Sequence, residues 1–215
     1  MRVIVTCGPA CEPIDAVRRI TNFSTGEIGT LLSEALTISG HEVLCFRGQG
    51  STFPAPEQPV KTSPFTTNES LLDLLQADHG EIGAVFHAAA LSDFAVASID
   101  QKGAGRVQGE GKMDSRSGEI HLRLAPKPKL IAQLRRLFPL AVLVGWKYAV
   151  EGGSQDAEQA ALNQMKENKT DACVLNGPAI GSGFRFYLEG EPAEDLPDKA
   201  ALVAALVREF ERRNR

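Results

Sequence analysis

Several segments of this chain carry residues suited to holding phosphate or an activated carboxylate. In Asn22-Phe23-Ser24-Thr25-Gly26-Glu27-Ile28-Gly29, small and hydroxylated residues stand where a helix is expected to open. A helix start presents backbone N–H groups without partners, so small residues around it make an anion cradle. Ser24, Thr25 and Gly26 therefore suit a phosphate. They suit an ordinary capped helix packed through Gly29 equally well, because capping draws on the same residue types. In His87-Ala88-Ala89-Ala90-Leu91-Ser92-Asp93-Phe94, three alanines give a ligand access to backbone atoms, and Asp93 can orient a hydroxyl or Mg²⁺. A turn carboxylate gives the same local pattern. His87 reads as a strand-end histidine with a satisfied hydrogen bond rather than as a catalyst, and Lys112 by itself reads as a solvated loop lysine.

Four cysteines, at 7, 11, 45 and 173, are scattered, three of them in or beside apolar strand-like runs. That pattern predicts reduced, mostly buried thiols in a reducing compartment. Cys7 and Cys11 lack a neighbouring cluster of Cys or His, so no metal ligand set is predicted there.

The elements that must position these residues follow from hydrophobic periodicity. Short Val/Ile-rich runs predict strands over 3–6, 42–46, 60–63, 84–87, 141–146 and 172–175. Amphipathic segments predict helices over 25–39, 68–76, 128–137, 154–168 and 199–212, the first capped by Ser24 or Thr25 and the third carrying Pro128 in its first turn. The alternation predicts an α/β fold, a mostly parallel sheet with helices on both faces, in one domain over 1–215. The polar, glycine-rich stretch 91–124 breaks the alternation and predicts a long loop or extended arm with a strand at 120–124. A late edge strand or hairpin is expected at 185–188, before Glu189-Gly190-Glu191. Ligands of such sheets bind at the carboxyl ends of the strands. The first strand does not turn straight into a helix through a G-x-G-x-x-G fingerprint; some fifteen residues intervene.

Composition narrows the partners. Hydrophobic residues make up 43% and charged residues 23%, with Lys+Arg 23 against Asp+Glu 27, a net charge of −4. This balance gives no general attraction to polyanions, and the basic run 208–215 is interrupted by Glu209 and Glu211, so no nucleic-acid role is expected. No apolar stretch approaches membrane-span length and the first residues lack signal-peptide organisation, so a cytoplasmic chain without membrane contact is expected.

Taken in order, the segments Thr6–Asp15 in numbers 6–15, Ile20-Thr21-Asn22-Phe23-Ser24-Thr25-Gly26, Ala89-Ala90-Leu91-Ser92-Asp93-Phe94, Lys112-Met113-Asp114-Ser115, Pro128-Lys129-Leu130-Ile131, Val144-Gly145-Trp146-Lys147 and 171–176 resemble phosphopantothenate–cysteine ligases over nearly the whole chain. The resemblance implies a Rossmann-like three-layer fold and the free-standing form of the enzyme, without the flavin-binding decarboxylase half and hence without FMN. It implies a two-step reaction. The carboxylate of 4′-phosphopantothenate attacks the α-phosphate of CTP or ATP, releasing pyrophosphate, and the cysteine amine then displaces the nucleoside monophosphate. It implies Mg²⁺ as cofactor. By position, Asn22 is the neutral donor near the acyl carbonyl and Lys112 the cation on the triphosphate. Gly8, Ser24, Thr25 and Gly26 surround phosphates; Ala89, Asp93 and Trp146 line the nucleotide pocket, with Lys129 and Lys147 as further cations. It also implies a homodimer in which the 91–124 arm crosses to the partner, so that Lys112 serves the neighbouring site.

Cys11, Glu27, Glu167 and Gly177 depart from the family pattern, with Lys166 or Lys169 as substitutes for the missing cation. These departures motivate one rival reading, a catalytically diverged nucleotide-binding paralogue. A second rival, a short-chain NAD(P) oxidoreductase using Arg47 on a 2′-phosphate, needs Tyr-x-x-x-Lys; Tyr148 and Tyr187 are followed four positions later by Gly152 and Glu191.

Overall fold

In the first strand, β1 (Arg2–Cys7), Val3, Val5 and Cys7 alternate with Ile4 and Thr6, and all five are buried. A strand buried on both faces belongs inside a sheet covered twice. The computed structural model, which describes residues 1–57, 59–101, 105–106 and 111–213, has that arrangement. After β1 come β2 (Cys11–Pro13), β3 (Arg19–Thr21), α1 (Glu27–Ile38), β4 (Glu42–Gly48), β5 (Lys61–Phe65), α2 (Asn68–Gln76) and β6 (Ala84–His87). Then follow β7 (Phe94–Gln101), β8 (Gly105–Arg106), β9 (Ile120–Pro126), α3 (Ile131–Leu137), β10 (Val142–Tyr148), α4 (Ser154–Asn168), β11 (Ala172–Asn176), β12 (Phe184–Leu188), β13 (Glu194–Leu196) and α5 (Lys199–Arg213).

Eight strands form one sheet in the order β13-β12-β11-β10-β6-β1-β4-β5. The pairings from β11 through to β5 are parallel, and β12 and β13 add an antiparallel edge. Val3, Val5, Cys45, Phe86 and Val144 pack under Leu32 and Leu36 of α1 and Leu202, Leu206 and Phe210 of α5. On the other face Ile4, Phe46, Val85 and Leu143 meet α2 and α3, while Cys173 and Leu175 meet α4. The expected α/β sandwich is therefore the observed one. Among the described residues no helix is long and apolar enough to cross a membrane. All four cysteines are free and buried, as their apolar surroundings predicted.

Four local differences have physical reasons. The first helix opens at Glu27, because Gly26 takes a left-handed φ of 82° and is itself the N-cap; neither Ser24 nor Thr25 caps it. The third helix opens at Ile131, beyond Pro128, with tight bonds from Ala132 N–H to Lys129 O and Gln133 N–H to Leu130 O leading into it. β5 carries Pro64 in its interior, which is tolerated because β5 is an edge strand. In the described part of the arm β7 pairs antiparallel with β9 and with β8, making a three-stranded sheet of its own, so hydrogen-bonded strands rather than an irregular loop carry it.

Candidate active site

The chain leaves β1 through α1 to reach β4 on one side, and leaves β6 through the arm and α3 to reach β10 on the other. Connections that diverge in this way open a crevice above the carboxyl ends of β1 and β6. The loops there stay laced together. Ala88 N–H donates to Thr6 O at 3.1 Å, Ala90 N–H to Gly8 O at 3.0 Å, and Ala10 N–H to Ala90 O at 2.9 Å.

A buried polar group supports this floor. Thr6 Oγ1 lies 2.8 Å from His87 Nδ1 and accepts the Ala89 N–H at 3.3 Å. Burial pushes the His87 pKa down to about 4, so the ring is neutral at pH 7 and shares one hydrogen bond with the Thr6 hydroxyl through Nδ1. His87 is thus a satisfied structural histidine, as its sequence position suggested. Above it, exposed Asn22 donates through Nδ2 to Ala90 O at 3.1 Å and Leu91 O at 2.9 Å. Both amide hydrogens are used on carbonyls that can only accept. Asn22, expected as a donor to substrate, here has both amide hydrogens engaged and presents its Oδ1, an acceptor, to the crevice.

Beside this group lies a second cluster. Gly8 and Gly26 both have positive φ, 77° and 82°. A Cβ added at either would meet Ser51 Oγ, at 1.9 and 2.8 Å, and one at Gly26 would also lie 3.0 Å from Arg47 Nη1. Only glycine fits both the backbone and the space. Ser51 Oγ donates to Gly48 O at 2.7 Å, and the Arg47 guanidinium donates to Thr30 Oγ1 at 2.9 Å and to Phe53 O. Arg47 is thus held under the start of α1, not presented at a ribose. The α1 N-terminus has no side-chain cap, although Thr25 Oγ1 takes the Glu27 N–H at 3.3 Å. The Glu27 carboxylate is paired with the Lys199 ammonium from α5.

The remaining expected residues divide. Trp146 follows Gly145, which pairs with His87 across β6 and β10, and packs half-buried on the face shared by α1 and α5. Its indole N–H is buried without an acceptor among the described residues. Lys147, next along the strand, lies toward α4, near the Cys173 thiol that burial pushes up to about 12. Asp93 and Lys129 are exposed and their charged groups have no partner among the described residues. Lys112 is also exposed, but its neighbours are anchored. Met113 N–H donates to buried Asp15 at 3.2 Å, Arg18 donates to Met113 O, and Ala16 N–H donates to Gly111 O. Burial alone would raise the Asp15 pKa, yet the N–H groups of Val17, Met113 and Arg18 with the Arg18 guanidinium hold it below the usual carboxylate range.

Asn22 is therefore brought to the carbonyls of Ala90 and Leu91, just after Ala89, and Gly8 and Gly26 are brought together at Ser51, with Trp146 on the α1 side. Among the described residues no hydrogen bond or ion pair joins Lys112, Lys129 or Lys147 to them. Sequence reasoning missed Ser51, Arg47 as a support, and Asp15 as the anchor of the Lys112 segment. The available signal for Asp15 was an Asx-type turn after Pro13. No group of three or more acidic, His or Cys side chains fit for a metal occurs among the described residues. Asp93, exposed after β6, is a hard oxygen donor of the kind Mg²⁺ takes.

The departures from the family pattern are explained in part. Gly177 has φ 119° and ψ 173°, and a Cβ there would lie 2.4 Å from Ala149 O, so no aspartate fits this backbone. Cys11 is buried, where a long basic side chain would lose hydration. Lys166, Glu167 and Lys169 lie at the end of α4, just before β11 begins and thus at the opposite edge of the sheet from the crevice; neither lysine replaces a cation there.

Set beside known proteins, the sequence pattern described as the DNA/pantothenate metabolism flavoprotein C-terminal domain matches residues 1–187. The chain belongs to this family. Among members of the flavoprotein C-terminal domain family, it is 30% identical over 178 residues to the coenzyme A biosynthesis bifunctional protein CoaBC of Thermococcus kodakarensis, covering 81% of this chain and 41% of that one. The chain spans about four-tenths to half of the length of the curated relatives it matches. A solved DNA/pantothenate metabolism flavoprotein from Streptococcus pneumoniae has the same fold, with TM-score 0.85 and 23% identity over 99% of both chains. So does a Cab2 mutant solved in complex with phosphopantothenate-cysteine, with TM-score 0.73 and 16% identity over 99% of this chain and 88% of that one.

Proposed function

We propose that this chain is a phosphopantothenate–cysteine ligase acting in coenzyme A biosynthesis through an acyl-nucleotidylate. The observation that carries the reading is the pairing of an uncapped helix start, walled by Gly8 and Gly26, with a carbonyl-lined crevice that holds Asn22. The first suits a polyphosphate and the second an acyl group with an approaching amine. In this reading Ser24, Thr25 and Gly26 take the nucleotide phosphates and Trp146 lies along the nucleotide. Asp93 orients its sugar or its Mg²⁺. Bound with the nucleotide, Mg²⁺ supplies charge neutralisation on the phosphates. Asn22 accepts a hydrogen bond from the cysteine amine through Oδ1, orienting its lone pair toward the activated carbonyl.

The arm exposes Phe94, Leu122 and Leu124, at 51%, 37% and 42%. Apolar side chains ranged along an extended sheet support a homodimer in which a partner covers them. In that dimer Lys112, whose neighbour Met113 is held by Asp15, serves the neighbouring site, with Lys129 and Lys147 as outlying cations. CTP and ATP are the candidate nucleotides.

The half-reaction tests the site assignment. With 4′-phosphopantothenate and Mg²⁺ but no cysteine, one equivalent of pyrophosphate per active site is expected from CTP or ATP, with the acyl-nucleotidylate retained. Pyrophosphate that appears without the pantothenate carboxylate, or none at all, would contradict it.

A further inference from the structure

We propose that Lys199 is a phosphate-positioning residue of the nucleotide site, held in reserve by Glu27; the inference rests on the ligase reading above. Lys199 opens α5 and Glu27 opens α1, and their ion pair joins the starts of two helices 172 residues apart in sequence. Glu27 is well placed for its own helix, since a carboxylate in the first turn complements the dipole. Lys199 is not: an ammonium in the first turn opposes it. Nor does α5 need the lysine, because Asp198 already caps it by accepting the Ala201 N–H at 2.8 Å.

The helix served is α1. Its start, next to Gly26, has no side-chain cap, whereas Thr67 and Ser70 close the start of α2 reciprocally. A bare Glu27 carboxylate one residue from Gly26 would repel a phosphate there. With Lys199 on it, the carboxylate is neutralised, and the ammonium, 44% exposed in its side chain, stands beside the cradle. Arg47 adds positive charge from below through a guanidinium already committed to Thr30 and Phe53. Lys199 is the cation there with a flexible stem and one carboxylate partner. When a triphosphate enters, the ammonium, which has three N–H donors, donates to a phosphate oxygen while still neutralising Glu27.

Direct contact and mere neutralisation of Glu27 give different double-mutant results. CTP and ATP binding are titrated by calorimetry for the wild type, Glu27→Gln, Lys199→Met and the pair combined. Lys199→Arg serves as the folding control and is expected to stay within a few-fold of wild type. Lys199→Met is expected to weaken the preferred nucleotide by about tenfold to a hundredfold, the range for a lost hydrogen bond to a charged group. The double variant is expected to remain at least tenfold weaker than Glu27→Gln alone. A double variant equal to Glu27→Gln would overturn the proposal and leave Lys199 as a neutraliser only. A wild type that binds neither nucleotide would instead remove the ligase reading on which the proposal stands.

Discussion

Replacing Thr6 by valine keeps the shape of a buried side chain and deletes one hydroxyl. That hydroxyl serves two partners, His87 Nδ1 at 2.8 Å and the Ala89 N–H at 3.3 Å. Each is left without its bond, at about 1–3 kcal/mol for a buried polar group, and the 3.3 Å contact belongs at the low end. The sum is about 2–4 kcal/mol. For a chain of this size about 2–4 °C of Tm goes with each kcal/mol, so thermal unfolding at pH 7 should fall by about 4–16 °C. The same experiment across pH tests the state of His87. Its pKa is about 4 in the fold against 6.5 for the ordinary side chain. Between those values the unfolded chain binds a proton that the fold does not, so stability is complete above pH 6.5 and declines as pH falls toward 4. The slope is about 1.4 kcal/mol per pH unit, about 3 kcal/mol in all. Denaturant unfolding of wild type, Thr6→Val and His87→Leu from pH 4.5 to 8 reads both effects. His87→Leu should flatten the slope over this range. A Thr6→Val Tm within 2 °C of wild type, or an unchanged slope in His87→Leu, would refute the account of the crevice floor.

Other expectations follow from contacts of the same kind. Gly177→Ala places a Cβ 2.4 Å from Ala149 O at a φ of 119°, and should cost about 3–5 kcal/mol in chemical denaturation. Gly40→Ala, at φ 86° with nothing within 4 Å, should cost only about 1–2 kcal/mol. Lys127 Nζ joins Glu12 at 3.0 Å and Glu69 at 2.7 Å at the base of the arm, so Lys127→Met should destabilise by about 2 kcal/mol in the same assay. Asn22→Ala and Lys112→Ala should each lower kcat by about 10²–10³-fold with little change in Tm. Asp15→Ala, which releases Met113 from its anchor, should lower kcat and weaken nucleotide binding in the same direction as Lys112→Ala.

Strands and helices buried by simple periodicity were legible. Val3, Val5 and Cys7 against Ile4 and Thr6 announce a doubly covered strand, and the parallel order places Gly8, Ala89 and Trp146 at one edge of the sheet. Hairpin β2–β3 was not legible, since three-residue strands carry too little alternation to be read. Phe94-Ala95-Val96 offered a strand signal that the glycines after residue 100 obscured. Long-range electrostatics was beyond local reading altogether. Glu27 in isolation predicts repulsion of phosphate, and only the fold brings Lys199 to it across 172 residues. Gly177 likewise reads as a lost aspartate until its backbone angle and its approach to Ala149 are known. Asn22 stood out in the sequence by its neighbours, but the engagement of both its amide hydrogens was beyond local reading.

The central claim is that the crevice joins two substrates at the expense of a nucleotide. Purified protein incubated with 4′-phosphopantothenate, cysteine, Mg²⁺ and either CTP or ATP should yield one ligated product and one pyrophosphate per turnover, followed together by mass spectrometry and a pyrophosphate assay. Cysteine-dependent product with one nucleotide strongly preferred, and formed about 10²–10³-fold more slowly by Asn22→Ala, is the predicted result. Folded protein that binds a nucleotide yet yields neither product nor pyrophosphate with either one would contradict the claim.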